Sequence, residues 1–171
     1  QLGRDKSAIQ QYQQLLTIAI EENDSLQMSR SWYNLGVVHL QLNENEQALS
    51  FLERALRAAI QQENVVLIAQ LHNAIGSVYY NQSLHLKAIE HYQKAYDLTK
   101  EINFESELIK VLNNMAAVFE SEADWSNALK YYKESASLAN SLGNLSDLSQ
   151  VYYNISTAFE SMNIADSALR Y

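Results

Sequence analysis

Apolar residues in this chain recur at spacings of three and four, the signature of helices with one buried face. Over residues 5–22 the stripe is Ala8, Ile9, Tyr12, Leu15, Leu16 and Ala19, with Asp5 or Ser7 placed to cap its start. The pattern predicts further helices over 24–41, 46–62, 65–81, 85–101, 104–121, 125–140 and 144–161. A last one opens near Ala165 and runs to Tyr171. Asp24, Asn64 and the pair Gly143-Asn144 stand at helix boundaries. Polar breaks such as Leu42-Asn43-Glu44-Asn45 are so short that successive helices must be antiparallel neighbours.

Over this pattern lies a longer one. Ala8, Ala48, Ala88, Ala128 and Ala168 stand 40 residues apart, each followed by Ile or Leu. Gly36, Gly76, Ala116 and Ser156 form a second ladder of small residues in the same register. Self-similarity at such a period marks a repeat architecture, in which each unit buries its face against its neighbours. The small residues belong where the two helices of a pair come closest, because larger side chains would push the axes beyond ordinary packing distance. Large residues fill the space around them: Trp32, His72, Leu112 and Tyr152; His39, Tyr79, Phe119 and Phe159; Leu52, Tyr92 and Tyr132. The expected organisation is a single array. Residues 5–22 are the second helix of a truncated repeat, 24–62, 64–101 and 104–140 are full repeats, and 144–171 is incomplete. Both ends read as cut from a longer protein.

Composition sharpens this picture only at a few points. The chain has no proline and four glycines in 171 residues, and 47% of it is hydrophobic, which suits an all-α protein with a continuous core. A net charge of -8 and a pI near 4.9 argue against nucleic-acid binding and against adsorption to an anionic membrane. With no cysteine there is no disulfide, thiolate nucleophile or zinc–thiolate site. No apolar run reaches the roughly 20 residues of a membrane helix. The compartment stays open, with cytoplasm preferred over a periplasmic sensor region.

The repeat resembles the tetratricopeptide repeat. That family's pattern is a large residue, Leu-Gly and an aromatic on the first helix, then Ala, an aromatic and Ala on the second. It stands here as Trp32, Leu35-Gly36, His39, Ala48, Leu52, Ala55, and again as His72, Ile75-Gly76, Tyr79, Ala88, Tyr92, Ala95. A third copy is Leu112, Met115-Ala116, Phe119, Ala128, Tyr132, Ser135, and a fourth runs from Tyr152 through Ala168. Two departures are the period of 40, against the family's usual 34 or so, and the absence of a closing proline. The long form is similar to the arrays of bacterial sensor kinases and peptide-pheromone receptors, and of adaptors such as kinesin light chain. The resemblance implies a right-handed α-α superhelix of antiparallel helix pairs, with the first helices lining a concave groove.

By register the groove rows are Tyr33, Asn73, Asn113, Tyr153; Asn34, Ala74, Asn114, Asn154; Val37, Ser77, Ala117, Thr157; and Leu40, Tyr80, Glu120, Glu160. Arg30, Gln70, Lys110 and Gln150 complete the near end. An asparagine amide offers both donor and acceptor, so such a ladder can pair with the backbone of a peptide. Tyr33, Tyr80 and Tyr153 would serve as rigid contact surfaces. The expected peptide-binding set is therefore Tyr33, Asn34, Asn73, Tyr80, Asn113, Asn114, Glu120, Tyr153, Asn154 and Glu160. The lysine-rich clamp that some members use for a carboxylate terminus is absent, since Tyr33 and Val37 occupy its sites.

No enzyme constellation is visible, and no cofactor or metal is expected. Repeat register makes His72 and His39 packing residues, puts His85 at a turn and sets His91 beside the core-facing Tyr92. Glu120 and Glu160 have no nucleophile or phosphate-cradling loop beside them. The sequence thus reads as a non-catalytic scaffold for a protein or peptide segment, in the sensor or regulatory region of a bacterial signalling protein. The alternative is self-association through open helical ends, which leave apolar faces uncovered.

Overall fold

The computed structural model describes residues 2–162, with side chains described from Lys6 onward; the expected helix near Ala165, with Ala168, lies outside them. The described residues form eight helices: α1 Leu2–Glu21, α2 Ser25–Gln41, α3 Asn45–Gln61, α4 Val65–Asn81, α5 His85–Glu101, α6 Glu105–Ser121, α7 Trp125–Ser141 and α8 Leu145–Ser161. Seven of the predicted helices are recovered to within a residue or two. The first begins earlier than expected, at Leu2, so Asp5 and Ser7 lie inside it rather than capping it.

Every helix from α2 to α8 is 17 residues long, and every connection takes three more. The true backbone period is therefore half the sequence period. At each connection one residue adopts the left-handed conformation: Asn23, Asn43, Glu63, Ser83, Asn103, Ala123 and Gly143, with φ between 51° and 64°. Around Asn43, its own amide donates to Leu40 O and that of Glu44 reaches back to His39 O. This double closure satisfies carbonyls that the helix end would otherwise leave bare. The same pair recurs around Asn23, Glu63, Ser83, Asn103, Ala123 and Gly143. The next helix then starts at once. Asp24, Asn64, Asp124 and Asn144 accept the backbone amides of Gln27, Leu67, Asn127 and Asp147 at 3.0–3.2 Å.

The chain divides into two compact units, Gln1–Leu98 and Thr99–Tyr171. In the first, α2 packs against α1 and α3, and α3 also against α4. Its core is Ala48, Leu52, Ala55, Ala59, Leu67, Leu71, Ala74, Ile75 and Val78, with Trp32 and Tyr79 packed on it. A Cβ on Gly36 would lie 2.6 Å from Leu52 Cγ, and one on Gly76 would lie 2.6 Å from the Tyr92 ring. Both glycines are therefore required by close approach, as the small-residue ladder implied. In the second unit α6 packs on α7 and α7 on α8, around Ala116, Ala128, Tyr132, Ala136, Val151 and Ile155. There the small position is Ala116, fully buried. Tyr152, of the ladder of large residues, is more open than its counterpart Leu112, at 37% exposure against 0%.

An L-residue in the left-handed region costs about 1–2 kcal/mol, which glycine escapes. Ala123→Gly is accordingly expected to stabilise the chain by about 1 kcal/mol, and Gly143→Ala to destabilise it by a similar amount. Urea unfolding followed by circular dichroism measures both. A loss of stability in Ala123→Gly would contradict the turn account.

Candidate functional site

The candidate site is built from first helices of the pairs, whose small residues turn one side towards the partner helix and leave the other open. In the first unit the open side is formed by α2 and α4. Between them lies a depression of ≈ 260 Å³ lined by Arg30, Tyr33, Asn34, Asn64, Val66, Leu67 and Gln70. Four of these residues, Arg30, Tyr33, Asn34 and Gln70, are among those the register placed in a groove. Asn64 and Leu67 are tied together by the helix cap, Leu67 N to Asn64 Oδ1 at 3.1 Å. Arg30, Asn34 and Gln70 make no side-chain hydrogen bond or ion pair with any described residue. Their donors and acceptors are available to a guest.

The other expected residues of this unit sit differently. Asn73 is only 7% exposed, and its carbonyl accepts the Ser77 hydroxyl at 3.2 Å. Ser77 Oγ in turn accepts the phenol of Tyr92 at 3.1 Å. Burial pushes the Tyr92 hydroxyl well above its ordinary pKa, so it stays protonated and acts as a donor. Tyr80 stacks on His85 at the start of α5, with ring centroids 5.9 Å apart.

In the second unit the corresponding side belongs to α6 and α8. Asn113 and Asn114 are half-buried on α6, and Asn113 Oδ1 is buried with no hydrogen-bond partner. Glu120 accepts the hydroxyl of Tyr132 at 2.8 Å. On α8, Asn154 Oδ1 accepts the Gln150 amide at 3.0 Å, Tyr153 is 65% exposed and Glu160 is exposed. The asparagine rungs are thus unequal: Asn34 is uncommitted, Asn73 is buried, Asn113 keeps a buried Oδ1 without a partner, and Asn154 is engaged by Gln150.

Sequence reasoning missed a ring column on the second helices. His39 stacks on Phe51 and Phe119 on Tyr131, with centroids 5.3 and 5.5 Å apart, while Tyr79 meets His91 in a tilted contact at 5.4 Å. The column Phe51, His91, Tyr131 runs at the period of 40 already noticed, so the signal was present. His91 therefore packs at a tilt among rings, and its Nδ1 lies 3.1 Å from His72 Nδ1. That contact requires opposite tautomers, one nitrogen donating and the other accepting.

Burial, then the nearby His91 and Lys94, lower the His72 pKa to about 4, against the opposing pull of Glu90. Burial and Lys94 likewise depress His91, while Glu90 and Glu53 act the other way. Unfolded histidine protonates near 6.5. Between about 6.5 and 4 the unfolded chain therefore binds more protons, and stability falls as pH is lowered through this window. Above it the pair contributes no slope. His72→Leu, which installs the residue found at the equivalent Leu112, should flatten the decline of the urea midpoint between pH 7 and pH 5. An equally steep decline in the variant would contradict this origin.

Among the described residues, no three His, Asp or Glu side chains converge to hold a metal ion, and no helix is long and apolar enough to cross a membrane. The model of the tetratricopeptide repeat family matches residues 1–61 and 67–141. The chain belongs to that family. Among curated proteins, none matches its sequence. Several solved structures share its fold. BtubC (BKLC) from P. vanneervenii superposes with a TM-score of 0.79 at 20% identity, over 96% of this chain and 69% of its own. Aspartyl phosphate phosphatase F from Bacillus subtilis gives 0.88 at 16% identity, over 98% of this chain and 46% of its own. The Rap conjugation gene regulator of the plasmid pLS20, solved in complex with a peptide, gives 0.75 at 21% identity, over 88% of this chain and 42% of its own. This chain thus spans less than half the length of the latter two. At these identities the likeness establishes the fold.

Proposed function

We propose that this chain is a non-catalytic binding scaffold that holds an extended peptide segment, within the sensor or regulatory region of a bacterial signalling protein. One observation carries the reading: the depression between α2 and α4 gathers Arg30, Asn34 and Gln70 with their polar groups uncommitted. A peptide backbone needs a donor and an acceptor together, which the Asn34 amide supplies. Tyr33, partly packed on the core, offers a stiff apolar wall beside it. In the second unit Asn113, Asn114, Tyr153 and Asn154 are the equivalent contacts, with Glu120 and Glu160 at the edge. Asn73 and Tyr80 belong to the same set, the first with its amide mostly buried and the second stacked on His85. The peptide-bound state of the pLS20 regulator, and the bacterial origin of the phosphatase, support the assignment.

Self-association is a second reading, favoured by the exposed apolar side chains Leu15, Ile18 and Ile20 on α1. Sedimentation velocity of the chain before and after Ile18→Glu separates it from peptide binding, because only association would alter the mass.

Peptides selected from a random display library on the chain are expected to bind about tenfold more weakly to Asn34→Ala, the loss of one or two well-made hydrogen bonds. Isothermal titration measures the ratio, with circular dichroism confirming equal helicity. Equal binding by Asn34→Ala and Arg30→Ala would contradict the assigned site.

A further inference from the structure

The first unit holds a second cavity that shares no residue with the α2–α4 depression. It lies between α2 and α3, has a volume of ≈ 520 Å³, and is lined by Ser25, Met28, Trp32, Arg54, Arg57, Ala58, Gln61 and Gln62. One wall is held in place by Gln62, the residue that ends α3. Its Nε2 donates to Ser25 O at 2.7 Å, and its Oε1 accepts from the buried Ser29 hydroxyl at 3.3 Å. Met28, the Trp32 ring and Ala58 give the cavity an apolar floor.

The charge in this cavity is one-sided. Arg54 and Arg57 stand three apart on α3, so they share one helix face. Neither forms an ion pair with any described residue. The repeat register shows how unusual this is in a chain of net charge -8. One repeat later Lys94 is paired with Glu90 at 2.7 Å, and Asp97 accepts the Gln93 amide at 2.9 Å. Two repeats later Arg54 is replaced by Glu134 and Arg57 by Ser137. In the second unit a cavity built from the equivalent positions has its lysine, Lys100, 3.7 Å from Glu134. With Glu105 also in its lining, that pocket carries two carboxylates and one lysine, whereas the α2–α3 cavity is dicationic.

We propose that the α2–α3 cavity is a binding site for an acidic peptide segment, its carboxylates on Arg54 and Arg57 and a neighbouring apolar side chain on Trp32 and Met28. Two guanidinium groups present planar forks that match carboxylate oxygens, and such charge-assisted contacts are about twice as strong as neutral ones. A bare oxyanion such as phosphate would satisfy the arginines and leave the apolar floor uncovered. The combination of floor and forks is what selects a peptide.

Trp32 is one of two tryptophans, so Trp125→Phe makes it the sole indole reporter. The 171-residue chain carrying that change is titrated with the capped peptide Leu-Glu-Glu-Leu, with Leu-Gln-Gln-Leu and with inorganic phosphate. The acidic peptide should change Trp32 emission saturably, about tenfold more weakly in the Arg54→Gln, Arg57→Gln variant and unchanged in Asn34→Ala. Both arginines are exposed, and circular dichroism confirms that the double variant keeps its helices. Equal titration by the glutamine peptide, an unaltered response in the arginine variant, or a response abolished by Asn34→Ala would each overturn the site. Phosphate binding as tightly as the acidic peptide would overturn the peptide assignment.

Discussion

The close contact of two helices within a pair is what the rest of this molecule depends on. Gly36 admits Leu52 and Gly76 admits the Tyr92 ring at distances that no added Cβ would tolerate. Because one side of the first helix is committed to this contact, its remaining sides carry different duties. Trp32 turns towards the cavity shared with α3, whereas Tyr33 and Asn34 face the depression shared with α4. Neighbours in sequence are thereby sent to different surfaces, because successive helical positions point about 100° apart. Tyr92 shows how the contact also reaches the open side: its ring fills the space at Gly76 and its hydroxyl ends on Ser77.

Much of the fold was legible because its causes are local and periodic. Alanines at 48, 88 and 128 are fully buried, as their register required. Helix limits followed from capping residues such as Asp24, Asn64 and Asn144. The half-period was not legible, because it resides in backbone conformation rather than in residue type. Asn43, Glu63, Ser83 and Ala123 share a left-handed φ while having little chemistry in common. Gly143 announces the conformation, and Asn23, Asn43 and Asn103 suggest it, while Glu63, Ser83 and Ala123 do not.

The candidate site was legible as a set of positions and not as a set of states. Register put Asn34 and Asn73 in adjacent rows of the expected groove, but adjacent rows do not imply equal burial. Asn73 is buried beside the Ser77–Tyr92 chain, whereas Asn34 remains uncommitted. Glu120 is likewise bound to the phenol of Tyr132, a second-helix residue twelve positions on, which no reading of the first helix alone reveals. The arginine pair at 54 and 57 escaped notice because attention to first helices passed over α3. Its distinction appears only when the ion pairs of the equivalent positions are compared.

In the proposed binding mode the open side of α2 and α4 receives the peptide. The most direct test is nuclear magnetic resonance of the labelled chain with a selected peptide, observing side-chain amides. The account predicts that the largest shifts in the first unit fall on Asn34 and Gln70, with the guanidinium of Arg30 following. Shifts confined to α3 and α5, with Asn34 and Gln70 unmoved, would contradict it.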